Sequence, residues 1–472
     1  MHTIDYVLVF IYLALVFLVG VYFYLKNKDR EDYYVGGRNI KPFHVGLSVV
    51  ATDVGGGFSI GLGGLGYVMG LSASWLLFTG LVGAWLAAVF IIPKLKMLDA
   101  KHGMLTYPDF LRHRYGGVVA LIAAAISGIG YMGFTGGQVL AGAKLASGTI
   151  FANLPFDMDP FTFSILIIAG VILLYTVMGG LKAVIYTDTV QWIILIIGLV
   201  FLAIPMSVHD LGGLSKIQEE LPKNFMTLTN VSWTQIVNWM VTIIPIWLIA
   251  MTLYQRMYAC KDAKDAKKAW YIAGVFEYPV MAFMGAFLGM VSRLYFPDVD
   301  PEMGLPLLLK ETLPIGITGI IVAAYFSAIM STADSCLIAS SGNIVNDVIE
   351  RYILKGASHK TMIKVSQVAT FVIGAVTIYV AISFQSVLDI ILQAYAFMVA
   401  GLSVPTLAAY FVRKTYPVAA LVSMVLGGTS CLIFIFAKIQ LPYGLDPSFY
   451  GILISFISFV VVAFFDNKNR ID

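Results

Sequence analysis

Charge is what this sequence has least of: 12% of its 472 residues are Asp, Glu, Lys or Arg, against 59% hydrophobic. A soluble domain is about a quarter charged. The deficit excludes both a soluble enzyme and a disordered chain, and leaves a polytopic membrane protein. Cysteine is scarce as well. Cys260, Cys336 and Cys431 show neither metal-ligand spacing nor an even-numbered disulfide framework. The six histidines are scattered, and a net charge of +3 is too small and too dispersed for nucleic-acid binding. No nucleophile–base or metal constellation stands out, so no enzyme is expected. Channels carry rings of like charge or repeated filter loops, and neither is present. The chain's C-terminal tail after Phe465 has seven residues, too few for a sensor domain. No obligate protein partner is evident.

What is present is long apolar runs. A helix needs about 20 such residues to cross a hydrocarbon core. Thirteen stretches qualify: 4–25, 43–70, 71–93, 117–147, 161–178, 181–207, 233–259, 270–295, 316–346, 363–383, 385–411, 417–438 and 448–466. The first lacks a basic leader and a small-residue cleavage site, and reads as a retained helix. Loops on one side, from Lys26 to Arg470 and including Arg256, hold 24 of the 30 Lys and Arg; the other side holds 6. Basic loops stay in the cytoplasm. The N-terminus is expected outside and the C-terminus inside, in a multi-pass protein of the cell membrane. That parity requires an odd number of spans. The segment 304–313, in an outer loop, reads either as an interfacial helix or as plain loop.

Five spans fall in 43–207 and five in 233–411. Five is odd, so the second set enters the membrane from the opposite side, as in an inverted repeat. The expected organisation is an extra helix and loop (1–42), the first repeat (43–207), an outer loop (208–232), the second repeat (233–411) and two further helices with a short tail (412–472). The first helix of each set reads as interrupted, by Gly55-Gly56-Gly57 in one and by Pro245 in the other. Such breaks expose carbonyls to a cation and helix ends to a solute. The alternative for the glycines is close helix packing.

A carboxylate in the bilayer needs a partner or water. Asp53, Asp188, Glu277 and Asp334 fall within spans. Sodium prefers oxygen ligands. Ala328 and Ser331 share one helix face, and Thr332 adds a second hydroxyl beside the Ala328 carbonyl. The alternative for both hydroxyls is a bond back to their own helix.

Four segments carry a family resemblance: GGRNIKPFHVGLSVVATDVGGGFSIG (36–61), GGLKAVIYTDTVQ (179–191), YQRMYACKDAKDAKKA (254–269) and AAYFSAIMSTADSCLIASSGNIVND (323–347). The sequence resembles the sodium:solute symporter family over most of its length. The resemblance implies an all-α core of five plus five inverted helices, similar to the leucine-transporter type. It implies sodium as the coupling ion, bound by the carbonyls of Ala51, Val54 and Ala328 and the hydroxyls of Ser331 and Thr332. Asp53 matches an aspartate tied to sodium binding in the proline branch, and Asp188 an acid that supports the ion. A second sodium site in some members uses a serine where this chain has Ala328, so one sodium is expected. The implied solute pocket lies beside the break. Gly55, Gly56 and Gly57 offer N–H groups, Phe58, Tyr131, Trp247 and Tyr395 apolar walls, and Gln138 an orienting amide.

The solute is less defined. ATD at 51–53 and LTYPDFL at 105–111 resemble the proline branch, VGGGF at 54–58 the choline branch, and YQRMYACKDAKDAKK the sugar and vitamin carriers. Gly57 and Gly63 stand where proline carriers place tryptophan and proline. The expected function is sodium-coupled uptake of a small organic solute, leaning to an amino acid such as proline. Choline, a sugar, or a carboxylate or vitamin are the alternatives. So is a proton-coupled carrier of the same fold, with Asp188 or Glu277 carrying the proton.

Overall fold

The computed structural model describes residues 1–26, 30–176, 181–355, 357 and 359–468. The ends of two expected features, residues 177–178 of the fifth span and the Gly179-Gly180 pair of its following motif, lie outside them. Every regular element among the described residues is helical. That follows from the solvent, since a helix satisfies its own backbone in lipid.

The chain runs α1 (Thr3–Lys26), α2 (Pro42–Asp53), α3 (Gly55–Met69), α4 (Trp75–Leu86), α5 (Tyr107–Tyr115), α6 (Gly117–Gly148), α7 (Pro160–Thr176) and α8 (Leu181–Gly198). It continues with α9 (Trp233–Ile249), α10 (Met251–Ala259), α11 (Ala263–Val275), α12 (Phe283–Tyr295), α13 (Pro301–Thr312), α14 (Ile317–Ile344), α15 (His359–Ser383), α16 (Val387–Phe411), α17 (Pro417–Phe436) and α18 (Pro447–Lys468).

By length and apolarity, ten of the described helical stretches can cross a bilayer, or eleven when the bent pair α9–α10 counts as one. The expected thirteen is not reached in this count, for two reasons. The stretch Gly55–His102 is continuous enough to count once, yet its 48 residues would extend about 72 Å, over twice a hydrocarbon core. It turns at Gly70, whose φ of +69° suits glycine and whose missing side chain makes room for the Phe225 carbonyl, 2.3 Å from where a Cβ would stand. The second is α7, which has only 17 residues.

Both expected interruptions are present, one of them displaced. α2 ends at Asp53 and α3 begins at Gly55, whose φ is +52°. The other break is at Ala250, which is extended (φ −67°, ψ 122°) and bends α9 from α10 by 44°. Pro245 lies inside α9 without ending it. Proline removes one hydrogen bond and bends a helix; here the helix runs on to Ile249 and breaks at Ala250, five residues after the proline.

The packing partners come in matched pairs. α2 and α3 lie against α11 and α12, as α9 lies against α4; α2 packs on α8 as α9 packs on α16. α6 packs on α16 as α14 packs on α8, and α6–α7 is mirrored by α14–α15. Exchanging one five-helix set for the other reproduces each contact. α14 is the axis of the bundle: 94% of its most apolar window is buried, against 11% for α1. The apolar residues that α1, α17 and α18 leave exposed are those a lipid-facing helix presents.

Residues 304–312 are helical as part of α13, which packs against the bundle. Leu305, Leu308 and Leu309 are buried and the helix lies on α3. Glu302 in its first turn accepts from the backbone N–H groups of Val387 (2.8 Å) and Leu388 (3.1 Å) and pairs with Lys144 at 2.7 Å. A helix N-terminus favours such a carboxylate.

Candidate functional site

The two breaks face α14, and the first supplies a cluster of oxygens. The Thr332 hydroxyl is 2.8 Å from the Ala51 carbonyl and 2.9 Å from its own Ala328 carbonyl. One hydroxyl has one proton, so it can satisfy only one of these acceptors at a time. Three neutral oxygens therefore converge where α2 ends. This separation needs a small residue at 55: a Cβ there would lie 2.9 Å from Thr332 Oγ1. At residue 56 a Cβ would overlap Ile329. The glycine run thus serves both readings, a turn at Gly55 and close packing at Gly56.

Val54 occupies the break and is fully buried; its N–H still bonds the Val50 carbonyl at 2.9 Å. Ser331 is one residue from Thr332 and turns to a different partner. Its hydroxyl donates to Asp188. The lone pairs of that oxygen remain available, and the carboxylate behind it polarises the O–H bond.

Asp188 is the hub of a buried network. Ser48 of α2 donates to Oδ2 at 2.5 Å, and the Arg256 guanidinium lies 3.5 Å from the same oxygen. Both charged side chains are at most 1% exposed. Arg256 also reaches the Ser48 hydroxyl (3.0 Å), the Ser335 hydroxyl (3.2 Å) and the Thr252 carbonyl (3.2 Å). The guanidinium thereby joins α2, α8, α10 and α14. A sequence reading that places Arg256 in a cytoplasmic loop is therefore corrected. It is a core residue of α10, all nine of whose residues are buried. The signal was available, since Arg256 falls inside the apolar stretch 233–259. Without it the basic count on that side is 23 against 6, and the asymmetry stands.

The expected solute residues divide into two groups. Asp53 accepts from the Tyr395 hydroxyl at 3.2 Å, and the Tyr395 ring stacks on Phe134 with centroids 5.1 Å apart. Tyr131 caps the second break: its oxygen accepts the Thr252 N–H at 3.1 Å and lies 3.0 Å from the Thr252 hydroxyl. That amide is one of the orphan donors in the first turn of α10. Gln138 accepts the Gly57 N–H through Oε1 at 3.0 Å. The Gly57 donor is therefore occupied by a side chain in this structure. In exchange, Nε2 of Gln138 is buried without a partner among the described residues. A Cβ at position 57 would stand 2.6 Å from Oε1, so the glutamine fills the space a larger residue there would need.

Phe58 is buried in α3. Trp247 is fully buried, its indole N–H is unbonded among the described residues, and its ring rests against Gly83 of α4. It therefore faces α4, while Tyr395 faces Asp53. Asp334 is buried in α14. Glu277 is buried in the π-helical turn Phe276–Ala282 that joins α11 to α12, with both oxygens unbonded among the described residues. No group of three or more His, Cys, Asp or Glu among the described residues has a metal-holding arrangement.

The profile of the sodium:solute symporter family matches residues 33–427. A high-affinity proline transporter of Bacillus subtilis is 28% identical, covering 94% of this chain and 96% of the relative. An osmoregulated proline transporter of the same organism is 25% identical over 96% of this chain and 93% of its own length. Among solved structures, a substrate-bound, outward-open Na+-coupled sialic acid symporter superposes with a TM-score of 0.77 at 24% identity, covering 98% of this chain and 96% of the other. That last likeness shows the fold.

Proposed function

The chain belongs to the sodium:solute symporter family, and on that premise we propose that it takes up a small organic solute with one sodium ion, by alternating access. The observation that carries the sodium site is the meeting of the Ala51 and Ala328 carbonyls with the Thr332 hydroxyl at the broken helix. Val54 at the break and the Ser331 hydroxyl, backed by Asp188, complete the proposed ligand set. Sodium replaces a hydroxyl proton as the partner of the carbonyls and so ties α2 to α14. The segments 43–207 and 233–411 then rock as two repeats about the solute, with 1–42, 208–232 and 412–472 outside the moving core. The N-terminus is outside and the C-terminus in the cytoplasm.

The solute is an amino acid, with proline the first to test, since the curated relatives above are proline transporters. It lies beside Asp53, Gly55, Gly56 and Phe58, with Tyr395 as a gate and the free Gln138 amide as its orienting donor. The occupied Gly57 N–H argues that the pocket's polar contacts differ from a simple carboxylate cradle. At 100 mV one sodium supplies about 2.3 kcal/mol, enough to concentrate a neutral solute roughly 50-fold.

The test is uptake of labelled proline, choline and myo-inositol into proteoliposomes, with sodium replaced by potassium in parallel. Accumulation of proline above equilibrium, only with sodium, is expected; accumulation of choline or myo-inositol in its place overturns the amino-acid reading. If the Ser331→Ala, Thr332→Ala double variant keeps the original sodium dependence, the ligand set is wrong.

A further inference from the structure

A cavity of about 560 Å³ opens beside the helix Ile92–His102, which continues α4 through the π-helical turn Ala87–Ile91. It takes no part in the sodium or solute contacts above. Pro93 and Met97 line it from that helix, and Lys261 and Ala263 from the start of α11. The cavity is the end of a groove. Trp85, Val89, Pro93 and Met97 recur every four residues, and all but the half-buried proline are exposed. Across the groove, α11 presents Val275, Tyr271, Lys268 and Lys264 on one exposed face. The two helices run antiparallel. The Trp85 and Tyr271 rings meet edge-on with centroids 6.0 Å apart, while Met97 shares the cavity with Lys261. Tryptophan and tyrosine favour the boundary between hydrocarbon and headgroups. The apolar part of the groove therefore lies in lipid, and its lysines and cavity lie at headgroup depth.

The acids that line the cavity are already engaged. Asp99 holds Arg38 at 2.6 Å through one oxygen and Lys96 at 3.0 Å through the other. Glu31 pairs with Arg38. Asp262 accepts the Asp265 N–H at 2.9 Å as the cap of α11. The cations are not all engaged. Lys96 spends its other donors on the Cys260 carbonyl (2.9 Å) and the Tyr258 carbonyl (3.5 Å). Arg38 gives one further N–H to the Met104 carbonyl at 2.8 Å. A guanidinium has five N–H groups, so two of them remain. Lys261, Lys264 and Lys268 are exposed and hold no carboxylate among the described residues. Spare donors of one sign thus stand at the end of an apolar groove.

We propose that this groove binds one anionic glycerophospholipid, with its phosphate at Lys261 and the spare Arg38 N–H groups and an acyl chain along Val89, Trp85 and Val275. The proposal needs only that the chain lies in a membrane; it stands apart from the sodium and solute assignments. A phosphodiester brings acceptor oxygens and a negative charge to the unpaired donors, and lysines at a membrane surface favour such lipids. The acyl chain covers the exposed apolar side chains. A zwitterionic headgroup would bring a second, positive group, and each acid of the cavity already has its partner.

The test is tryptophan quenching by bromine-labelled lipid, with the full-length protein in phosphatidylcholine vesicles. Trp85 is the probe, and its share of the signal is the difference between wild type and Trp85→Phe. Labelled phosphatidylglycerol should quench it at a lower mole fraction than labelled phosphatidylcholine or phosphatidylethanolamine, by about fivefold for each lysine engaged. The triple variant Lys261→Gln, Lys264→Gln, Lys268→Gln should lose this preference. So should Ala100→Phe, which fills the cavity without changing charge. Lys355→Gln alters an exposed lysine that does not line the cavity, and should keep it. Equal quenching by the three labelled lipids in the wild type overturns the proposal and requires no variant to fold. An unchanged preference in the triple variant or in Ala100→Phe also overturns it. A preference lost equally in Lys355→Gln reports diffuse surface charge and overturns the site. Inorganic phosphate should not displace the labelled lipid; displacement identifies a soluble-anion site and overturns the lipid assignment.

Discussion

Asp188 and Glu277 are both acids buried in the bundle, and their surroundings are opposite. Asp188 is met by Ser48, Ser331 and Arg256 from three different helices. Glu277 meets the bare backbone of α4, and neither of its oxygens has a hydrogen-bond partner among the described residues. The first acid is part of the frame, because its charge is met by partners that tie α2, α10 and α14 to α8. The second has no such set of partners among the described residues. Sequence position alone puts both in apolar helices and does not separate them.

Removing a partner from the balanced acid should have the largest effect. Arg256→Ala leaves Asp188 buried and unpaired, which costs about 3–5 kcal/mol. The melting temperature of the purified protein should fall sharply, and adding Asp188→Asn should recover most of the loss. If the double variant is no better than the single one, the pair does not act as a unit. Next is Gly57→Ala, whose methyl overlaps the Gln138 amide. Overpacking of this kind costs about 1–3 kcal/mol, and Gln138→Ala in the same chain should return part of it in a thermal melt. Thr332→Ala removes one of three converging oxygens. It should raise the sodium concentration for half-maximal uptake about tenfold, equivalent to about 1.4 kcal/mol, with little change in melting temperature.

Glu277→Gln exchanges an unbonded acid for a neutral group of the same size and should shift stability by less than about 1 kcal/mol. A loss as large as that of Arg256→Ala would erase the contrast between the two acids. Smallest of all is the effect of an acid in the loop before α7. Asp159 is exposed and accepts from the Thr162 N–H and hydroxyl, both at 2.8 Å. The backbone N–H, and then the hydroxyl, hold its carboxyl below the usual aspartate range. A lowered value means the cap's contribution is full above that range and is lost as pH falls through it. Amide exchange at Thr162 and Phe163 should quicken on acidification, and should be insensitive to pH in Asp159→Asn once the intrinsic rate is corrected.

The first break was legible because three glycines in a row have few other uses in a spanning helix. The second was legible only as a weakness. Pro245 marks the correct helix, but the extended residue is Ala250, whose sequence carries no turn signal. Ser331 and Thr332 were visible as a hydroxyl pair, but adjacent residues on a helix diverge by about 100°. One therefore reaches Ala51 and the other Asp188. Nothing in the spacing of residues 57 and 138 foretells that Gln138 takes the Gly57 N–H, because that bond crosses between α3 and α6. The same holds for Lys144 and Glu302, which lie on different elements and pair at 2.7 Å.

Hydropathy and the distribution of basic residues were enough to define a helical membrane protein, its expected sidedness and its two five-helix sets. These properties are set by partition between water and lipid, which acts on each segment separately. Which oxygen faces which, whether a buried charge has a partner, and where a helix bends were settled only by packing. Those contacts join residues as far apart as Asp188 and Ser331, or Ser48 and Arg256, and their geometry depends on every helix between them.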